Sequence, residues 1–259
     1  MSDDLGLIRE AAINAGIMAM DLRKAGLKTW SKSGGSPVTN ADIAVDSLLK
    51  ERLLAARPDY GWLSEETADD PVRLGKSRVF VVDPIDGTAA YIKDLPWFSI
   101  SIALVEEGRA ISAVIHAPAV NETYEAALGG GAQLNGATVG PSRTTDLEDS
   151  AMLGDAKMFA HPAWRQPWPP MRYSTRNSIA YRMALVAAGT FDAALALSAK
   201  NDWDLAAGDL IASEAGALTT DHKGVRFIYN RQSPLQTSMI CATPALHPLI
   251  LARTQAIAL

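Results

Sequence analysis

The chain has a single cysteine, Cys241, which excludes any disulfide within it and any thiolate metal cluster. Flanked by Met239 and Ile240, that cysteine is expected in a buried core. No apolar run approaches the roughly 20 residues that span a bilayer, which excludes a membrane partner. A basic excess is also missing: 29 acidic against 24 basic residues leave a formal charge of −5, which argues against a polymeric nucleic acid. The opening Met1-Ser2-Asp3-Asp4 lacks the basic flank and apolar core of a signal peptide, so a cytoplasmic location is expected. The four histidines, His116, His161, His222 and His247, have no partners at metal-ligand spacing and are expected to be core or solvated residues. What is abundant is core material, with 48% hydrophobic residues over 259 positions, enough for one large domain or two intimate ones.

Chemistry concentrates in Val81-Val82-Asp83-Pro84-Ile85-Asp86-Gly87-Thr88. Arg78 to Val82 has the β-branched and aromatic character of a buried strand, so Asp83 is expected at the strand's end, with Pro84 restricting the turn that follows. Two carboxylates aimed at one point are costly unless a cation neutralises them, and oxygen ligands favour Mg²⁺, Mn²⁺ or Ca²⁺. If Gly87 and Thr88 open a helix, their N–H groups face the same point and can receive a phosphate. Asp-Pro-x-Asp-Gly alone also describes a solvated turn. Two further acidic clusters tip the balance. Ser64-Glu65-Glu66 ends a second expected strand, Tyr60 to Leu63, and Asp202-Trp203-Asp204 precedes the small-residue helix that begins Leu205-Ala206-Ala207-Gly208.

Hydrophobic periodicity predicts a helix over the first 25 residues, ended by Gly26, and a second from Asn40 or Ala41 to Ala56, with Asp42 in its first turn. Phe98 to Val105, Ala110 to His116 and Glu122 to Ala127 read as an antiparallel meander. Gly129-Gly130-Gly131 lacks a following Gly-Lys-Ser/Thr and reads as a turn. Asp155 to Pro170, rich in proline, reads as an irregular surface excursion that could border the active site. Asn177 to Ala188 is expected to be a helix, Phe191 to Leu197 a strand, Asp204 to Ala215 a helix, Ser238 to Ala242 a strand and His247 to Ile257 a helix. Two halves are expected, 1–128 with most of the acidic ligands and 129–259 supplying Asp204 and the specificity loops.

The order Asp42, Glu65, Asp83-Pro84-Ile85-Asp86-Gly87-Thr88 and Trp203-Asp204-Leu205-Ala206-Ala207, with Ser36-Pro37-Val38-Thr39-Asn40-Ala41-Asp42 before it and Glu214-Ala215-Gly216-Ala217 after, resembles the inositol monophosphatase superfamily of Mg²⁺-dependent, lithium-inhibited phosphatases. The resemblance implies an α+β fold, a layered αβαβα sandwich, with two or three Mg²⁺ ions per active site and Mn²⁺ as an acceptable substitute. It implies Glu65, Asp83, Asp86, Asp204 and the Ile85 carbonyl as metal ligands, and Thr88 paired with Asp42 to orient the attacking water. Backbone N–H groups of Gly87, Thr88 and Ala89 would hold the phosphate. Superfamily members are often homodimers, although no patch in this sequence marks such an interface.

Inositol monophosphatases proper carry an acidic residue seven positions before the Trp-Asp aspartate to contact inositol hydroxyls; Leu197 stands there instead. The stretch Ala194 to Trp203 is similar to the bacterial 3′(2′),5′-bisphosphate nucleotidase branch, which implies adenosine 3′,5′-bisphosphate as the small phosphorylated substrate. Lys200 and Arg176 are the candidate cations for its second phosphate, with Lys200 equally readable as a solvated loop lysine; Tyr173 or Trp168 could face its base, although core packing or surface cover is the expected role of each. An inositol or other sugar monophosphate phosphatase is the alternative, with fructose 1,6-bisphosphatase weaker. A non-catalytic phosphate-binding homologue is disfavoured by the intact acidic set.

Overall fold

The computed structural model describes residues 3–32, 35–162 and 164–259. It begins with α1 (Asp3–Ala25), the short hairpin β1 (Thr29–Ser31) and β2 (Pro37–Thr39), then α2 (Asn40–Ala56). Strand β3 (Gly61–Ser64) and a 3-10 turn lead to β4 (Arg78–Asp86), the short helix α3 (Thr88–Ile92), and the meander β5 (Ser99–Glu106), β6 (Arg109–Ala117) and β7 (Glu122–Ala127). Two small strands, β8 (Ala132–Leu134) and β9 (Ala137–Thr138), follow. The second half contains β10 (Ala151–Leu153), α4 (Ala156–Phe159), β11 (Arg172–Ser174), α5 (Ile179–Ala187), β12 (Ala193–Ala196), β13 (Lys200–Asn201) and α6 (Asp202–Ala215). It closes with β14 (Leu218–Thr220), β15 (Leu235–Gln236), β16 (Met239–Ala242) and α7 (Leu246–Thr254).

A seven-stranded sheet runs in sequence order from β3 to β9, and a five-stranded sheet has the order β11-β10-β12-β16-β14. The period-2 alternation of strands sorts their side chains into three cores. Phe80, Val82, Ile100, Ile102 and Leu104 face α1 and α2, whose Ile8, Ala12, Val45 and Leu49 meet them. The opposite set, Val79, Val81, Ala103 and Val105, shares a core with α5 and α6 and with Ala194, Met239 and Cys241 of the second sheet. Ala193, Leu195, Ile240 and Ala242 then point to the far side, against Leu246 and Ile250 of α7. The result is helix, sheet, helix, sheet, helix: the layered α+β sandwich expected from the sequence, with Cys241 fully buried between the inner layers.

Three local expectations are corrected. The strand through the acidic motif does not stop at Asp83 but continues to Asp86, with a register break between Asp83 and Asp86 opposite β5. Pro84 has no N–H for the ladder, so the strand bulges there and resumes. Helix α6 begins at Asp202, two residues earlier than the expected start, with Asp204 inside its first turn. The 155–170 segment holds a helical turn, α4, whose start is capped by the Asp155 carboxylate accepting from the Lys157 N–H. The first sheet extends past residue 128, through β8 and β9 to Thr138. No helix among the described residues is long and apolar enough to cross a membrane.

Candidate active site

Two chain segments bring three carboxylates together where the first sheet meets α5 and α6. The bulge in β4 delivers Asp83 and Asp86, and the first turn of α6 delivers Asp204; carboxylate oxygens of all three lie within 4.8 Å of one another. Each is held from behind. The Ile85 N–H donates to Asp83 Oδ1 at 3.1 Å across Pro84. Asp86 Oδ2 accepts from the Ser178 hydroxyl at 2.6 Å and the Ala180 N–H at 2.7 Å, so the N-terminus of α5 is aimed at it. Asp204 Oδ2 accepts the Asn201 N–H at 2.7 Å in a capping box, which leaves its other oxygen for the cluster.

Glu65 sits at the end of β3, on a turn fixed by Asp46, which accepts from the Ser64 and Thr67 hydroxyls. Its charge is felt by Asp83, Asp86 and Asp204, but its Oε1 is bound by Lys32 Nζ at 2.7 Å, and the same ammonium reaches Glu66 Oε1 at 2.7 Å. Asp42 is buried at the start of α2: one oxygen accepts from the Thr39 N–H and hydroxyl, at 2.8 and 2.6 Å. The other lies 2.9 Å from the Thr88 hydroxyl, which is also 3.1 Å from the Ile85 carbonyl. A hydroxyl has one proton, so Thr88 can donate to only one of the two at a time.

Gly87 links the cluster to α3 with φ +96°, and a Cβ there would lie 2.8 Å from the Trp97 carbonyl oxygen and 2.9 Å from the Ser178 nitrogen. Only glycine fits that corner. The leading N–H groups of α3, from Gly87, Thr88 and Ala89, follow directly.

Burial and mutual repulsion make this cluster reluctant to carry its full charge. Asp83 is raised well above the carboxylate range by burial and then by Glu65, Asp86 and Asp204. Asp204 is pushed up to about 7 by burial and by Asp86. Asp86 reaches about 6 by burial, with the Ser178 and Ala180 bonds pulling it back. Buried oxygen donors that repel one another are the donor set of a hard divalent cation, and these residues fit one. Asp83, Asp86 and Asp204 would hold it, with Glu65 at the border.

Of the residues expected from sequence, Asp83, Asp86 and Asp204 come together, Thr88 bonds to Asp42, and Glu65 is held by Lys32. Lys200 lies in the field of Asp204 and Asp86; burial lowers its pKa and those carboxylates oppose the shift. Its Nζ donates to Ser198 Oγ at 2.8 Å. Arg176 lies flat against Trp97, 3.7 Å from the ring centroid, while its carbonyl accepts from Arg182 Nε at 2.6 Å. His116, His222 and His247 bond to Thr123, Ser238 and Thr220 and serve the core. Trp203 packs against the inner core beside Asp204.

Lys32, Ser178 and Arg182 were not anticipated. Lys32 and Ser178 act across long sequence gaps. Arg182 did leave a signal, as the one charged residue in the otherwise apolar α5 sequence IAYRMALVA. Burial pulls its guanidinium below its ordinary value, opposed by the charges of Asp86 and Asp155.

The inositol monophosphatase family profile matches residues 4–259. The chain belongs to the inositol monophosphatase family. Among its relatives, a histidinol-phosphatase of Chlorobaculum parvum is 33% identical over 86% of this chain and 88% of its own. An inositol-1-monophosphatase of Rhizobium meliloti is 31% identical over 85% and 86%. The solved structure of the Thermotoga maritima IMPase superposes with a TM-score of 0.84 at 28% identity, covering 98% of this chain and 97% of that one. As a member of the inositol monophosphatase family, the protein is a phosphatase, and the acidic triad is where it can bind metal.

Proposed function

We propose that this phosphatase is a Mg²⁺-dependent, lithium-sensitive 3′(2′),5′-bisphosphate nucleotidase acting on adenosine 3′,5′-bisphosphate. The observation that carries the reading is the charge of the wall beside the acidic cluster. Lys200 and Arg182 both lie in the field of Asp86, and Leu197 stands where an inositol phosphatase needs a carboxylate. A leucine cannot accept hydrogen bonds from ring hydroxyls, whereas two cations suit a substrate with a second phosphate. Arg176 touches this wall through Arg182 and adds to its positive charge.

In this reading Glu65, Asp83, Asp86, Asp204 and the Ile85 carbonyl hold the cations, two or three in number, with Mn²⁺ an acceptable substitute. When bound, such ions supply a nucleophilic water at neutral pH and stabilise the leaving oxygen. The Thr88 hydroxyl, bonded to Asp42 Oδ1, would orient the attacking water and help take its proton, which that Oδ1 can receive while the other oxygen of Asp42 is held by Thr39. The N–H groups of Gly87, Thr88 and Ala89 receive the phosphate oxygens. A cytoplasmic homodimer agrees with this role.

The relative named an inositol-1-monophosphatase supports a second reading, an inositol or other sugar monophosphate as substrate on the same centre. Phosphate release with Mg²⁺ from adenosine 3′,5′-bisphosphate and from inositol 1-phosphate, each with and without Li⁺, separates the two. Preference for the nucleotide, suppressed by Li⁺, is the expected result; preference for inositol 1-phosphate would replace the first reading with the second.

A further inference from the structure

A cavity of about 480 Å³ lies between α4, the loop that follows it, the end of β12 and the last turns of the chain. Its walls include Met158, His161, Trp164, Arg165, Leu197 and Arg253. The acidic cluster does not line it, yet two chain segments join them. Leu197 is three residues from Lys200, a span of at most about 11 Å even when fully extended. Met158 is three residues from Asp155, whose charge reaches Arg182 together with that of Asp86.

The wall chemistry selects among ligands. The indole N–H of Trp164 is committed to the Met158 carbonyl at 2.6 Å, so what Trp164 offers a ligand is ring surface. The ring is held edge-on to Trp168, whose own ring packs edge-on to Phe159, giving a rigid aromatic wall. Arg253 is braced over Trp168 at 5.3 Å and donates to the Gln166 and Pro167 carbonyls, at 3.2 and 2.9 Å. No carboxylate side chain lines the cavity, so nothing there is built to receive the many hydroxyl donors of a polyol or the charge of an amine. Ring surface, aliphatic contacts and fixed positive charge suit a planar, electron-rich heterocycle with nitrogen acceptors. The volume lies within the range of pockets that take small organic ligands.

We propose that this cavity is the seat of the substrate's nucleobase, stacked on Trp164 and closed on the other side by Leu197 and the C-terminal residues. The inference takes its ligand from the nucleotidase reading, and it assigns specificity to a wall outside the acidic centre. Tyr173, a candidate for that wall on sequence grounds, is half-exposed and packs at a tilt on Phe159. Trp168 supports Trp164 instead of facing the base.

The test is calorimetric titration of the Mg²⁺-loaded protein with adenosine and, separately, with inorganic phosphate. Ala256 is an exposed lining residue, so Ala256→Trp fills the cavity without disturbing the core. Wild type is expected to bind adenosine, Ala256→Trp to lose that binding, and Trp164→Ala to weaken it about tenfold, the size of one lost base stack. Phosphate affinity should stay within twofold in both variants. Absence of adenosine binding to wild type, or equal binding by Ala256→Trp, would overturn the inference. Turnover of adenosine 3′,5′-bisphosphate separates this from the parent reading. Adenosine binding lost in Ala256→Trp with no bisphosphate turnover by wild type keeps the cavity and rejects the nucleotidase. Turnover with adenosine binding unchanged in Ala256→Trp does the reverse.

Discussion

The acidic centre and the wall formed by residues 155 to 170 are built in opposite ways. In the centre, Asp42, Asp83 and Asp86 are buried and each accepts hydrogen bonds from groups within the sandwich. The wall rests on one helical turn and edge-to-face rings, with His161, Pro162, Arg165, Gln166 and Pro167 exposed. A site that must place charges to within tenths of an ångström is overdetermined by regular structure, whereas a surface that reads the rest of a substrate can be assembled from loops. The contrast predicts that damage at the centre removes chemistry regardless of substrate, and that damage at the wall changes only preference.

The largest effect is expected from Asp86→Asn. The amide can still accept from Ser178 and Ala180, so folding should survive, while removal of one negative charge from the cation site lowers kcat on every substrate by about a thousandfold or more. Steady-state kinetics alongside a melting curve checks both halves. Wild-type turnover would break the distinction at its root.

Thr88→Ala comes next. Loss of the hydroxyl bonded to Asp42 should cost about a hundredfold in kcat, within the range of general-base contributions, with little change in KM. A change confined to KM would move Thr88 from the chemistry to binding.

The metal-free centre should also show itself in the pH dependence of stability. Asp83, Asp86 and Asp204 have folded-state pKa values raised above the ordinary value of 3.8, to about 6 for Asp86 and about 7 for Asp204. A raised carboxylate pKa means that the folded state binds more protons than the unfolded state between about pH 4 and 7, so stability falls as pH rises through that window. After chelation, unfolding at pH 7.5 should be easier than at pH 5.5 by on the order of 3 kcal/mol, and saturating Mg²⁺ should remove the difference. Denaturant titrations at the two pH values, with and without Mg²⁺, measure it.

Among the cations beside the centre, Arg182→Met and Lys200→Ala should each weaken adenosine 3′,5′-bisphosphate by about tenfold in kcat/KM and a monophosphate by less than threefold, the loss of one charge-assisted contact. Equal losses on both substrates would make these cations part of the general electrostatics of the centre. The smallest effect is expected of Leu197→Glu, which restores an acceptor for hydroxyls and should raise relative activity on inositol 1-phosphate by about threefold.

Much of the centre was legible in the chain because its carboxylates come in short blocks. Asp83 and Asp86 flank one proline, Asp204 lies in a helix start, and Asp42 completes a capping box with Thr39, so local chemistry announces each block. The meander was equally plain, because β5 to β7 pair with their neighbours in sequence and alternate apolar residues. The β1–β2 hairpin was not, since its three-residue strands are too short to show a period. Its Lys32 meets Glu65 across 33 positions, a partnership that no local pattern encodes. Ser178 reaches Asp86 across 92 positions, and its role was hidden for the same reason.

The amino-acid sequence by itself determined the layered fold and the acidic chemistry, because alternation, capping and the Asp-Pro-Ile-Asp turn are properties of neighbouring residues. Tertiary structure alone decided which charges face that centre and where a cavity forms: Lys32 on Glu65 and Glu66, Arg182 in the field of Asp86 and Asp155, and the cavity between α4, Leu197 and the C-terminal helix. Those relations depend on distance in space between segments far apart in the chain, and the packing of the two sheets around α5 and α6 sets that distance.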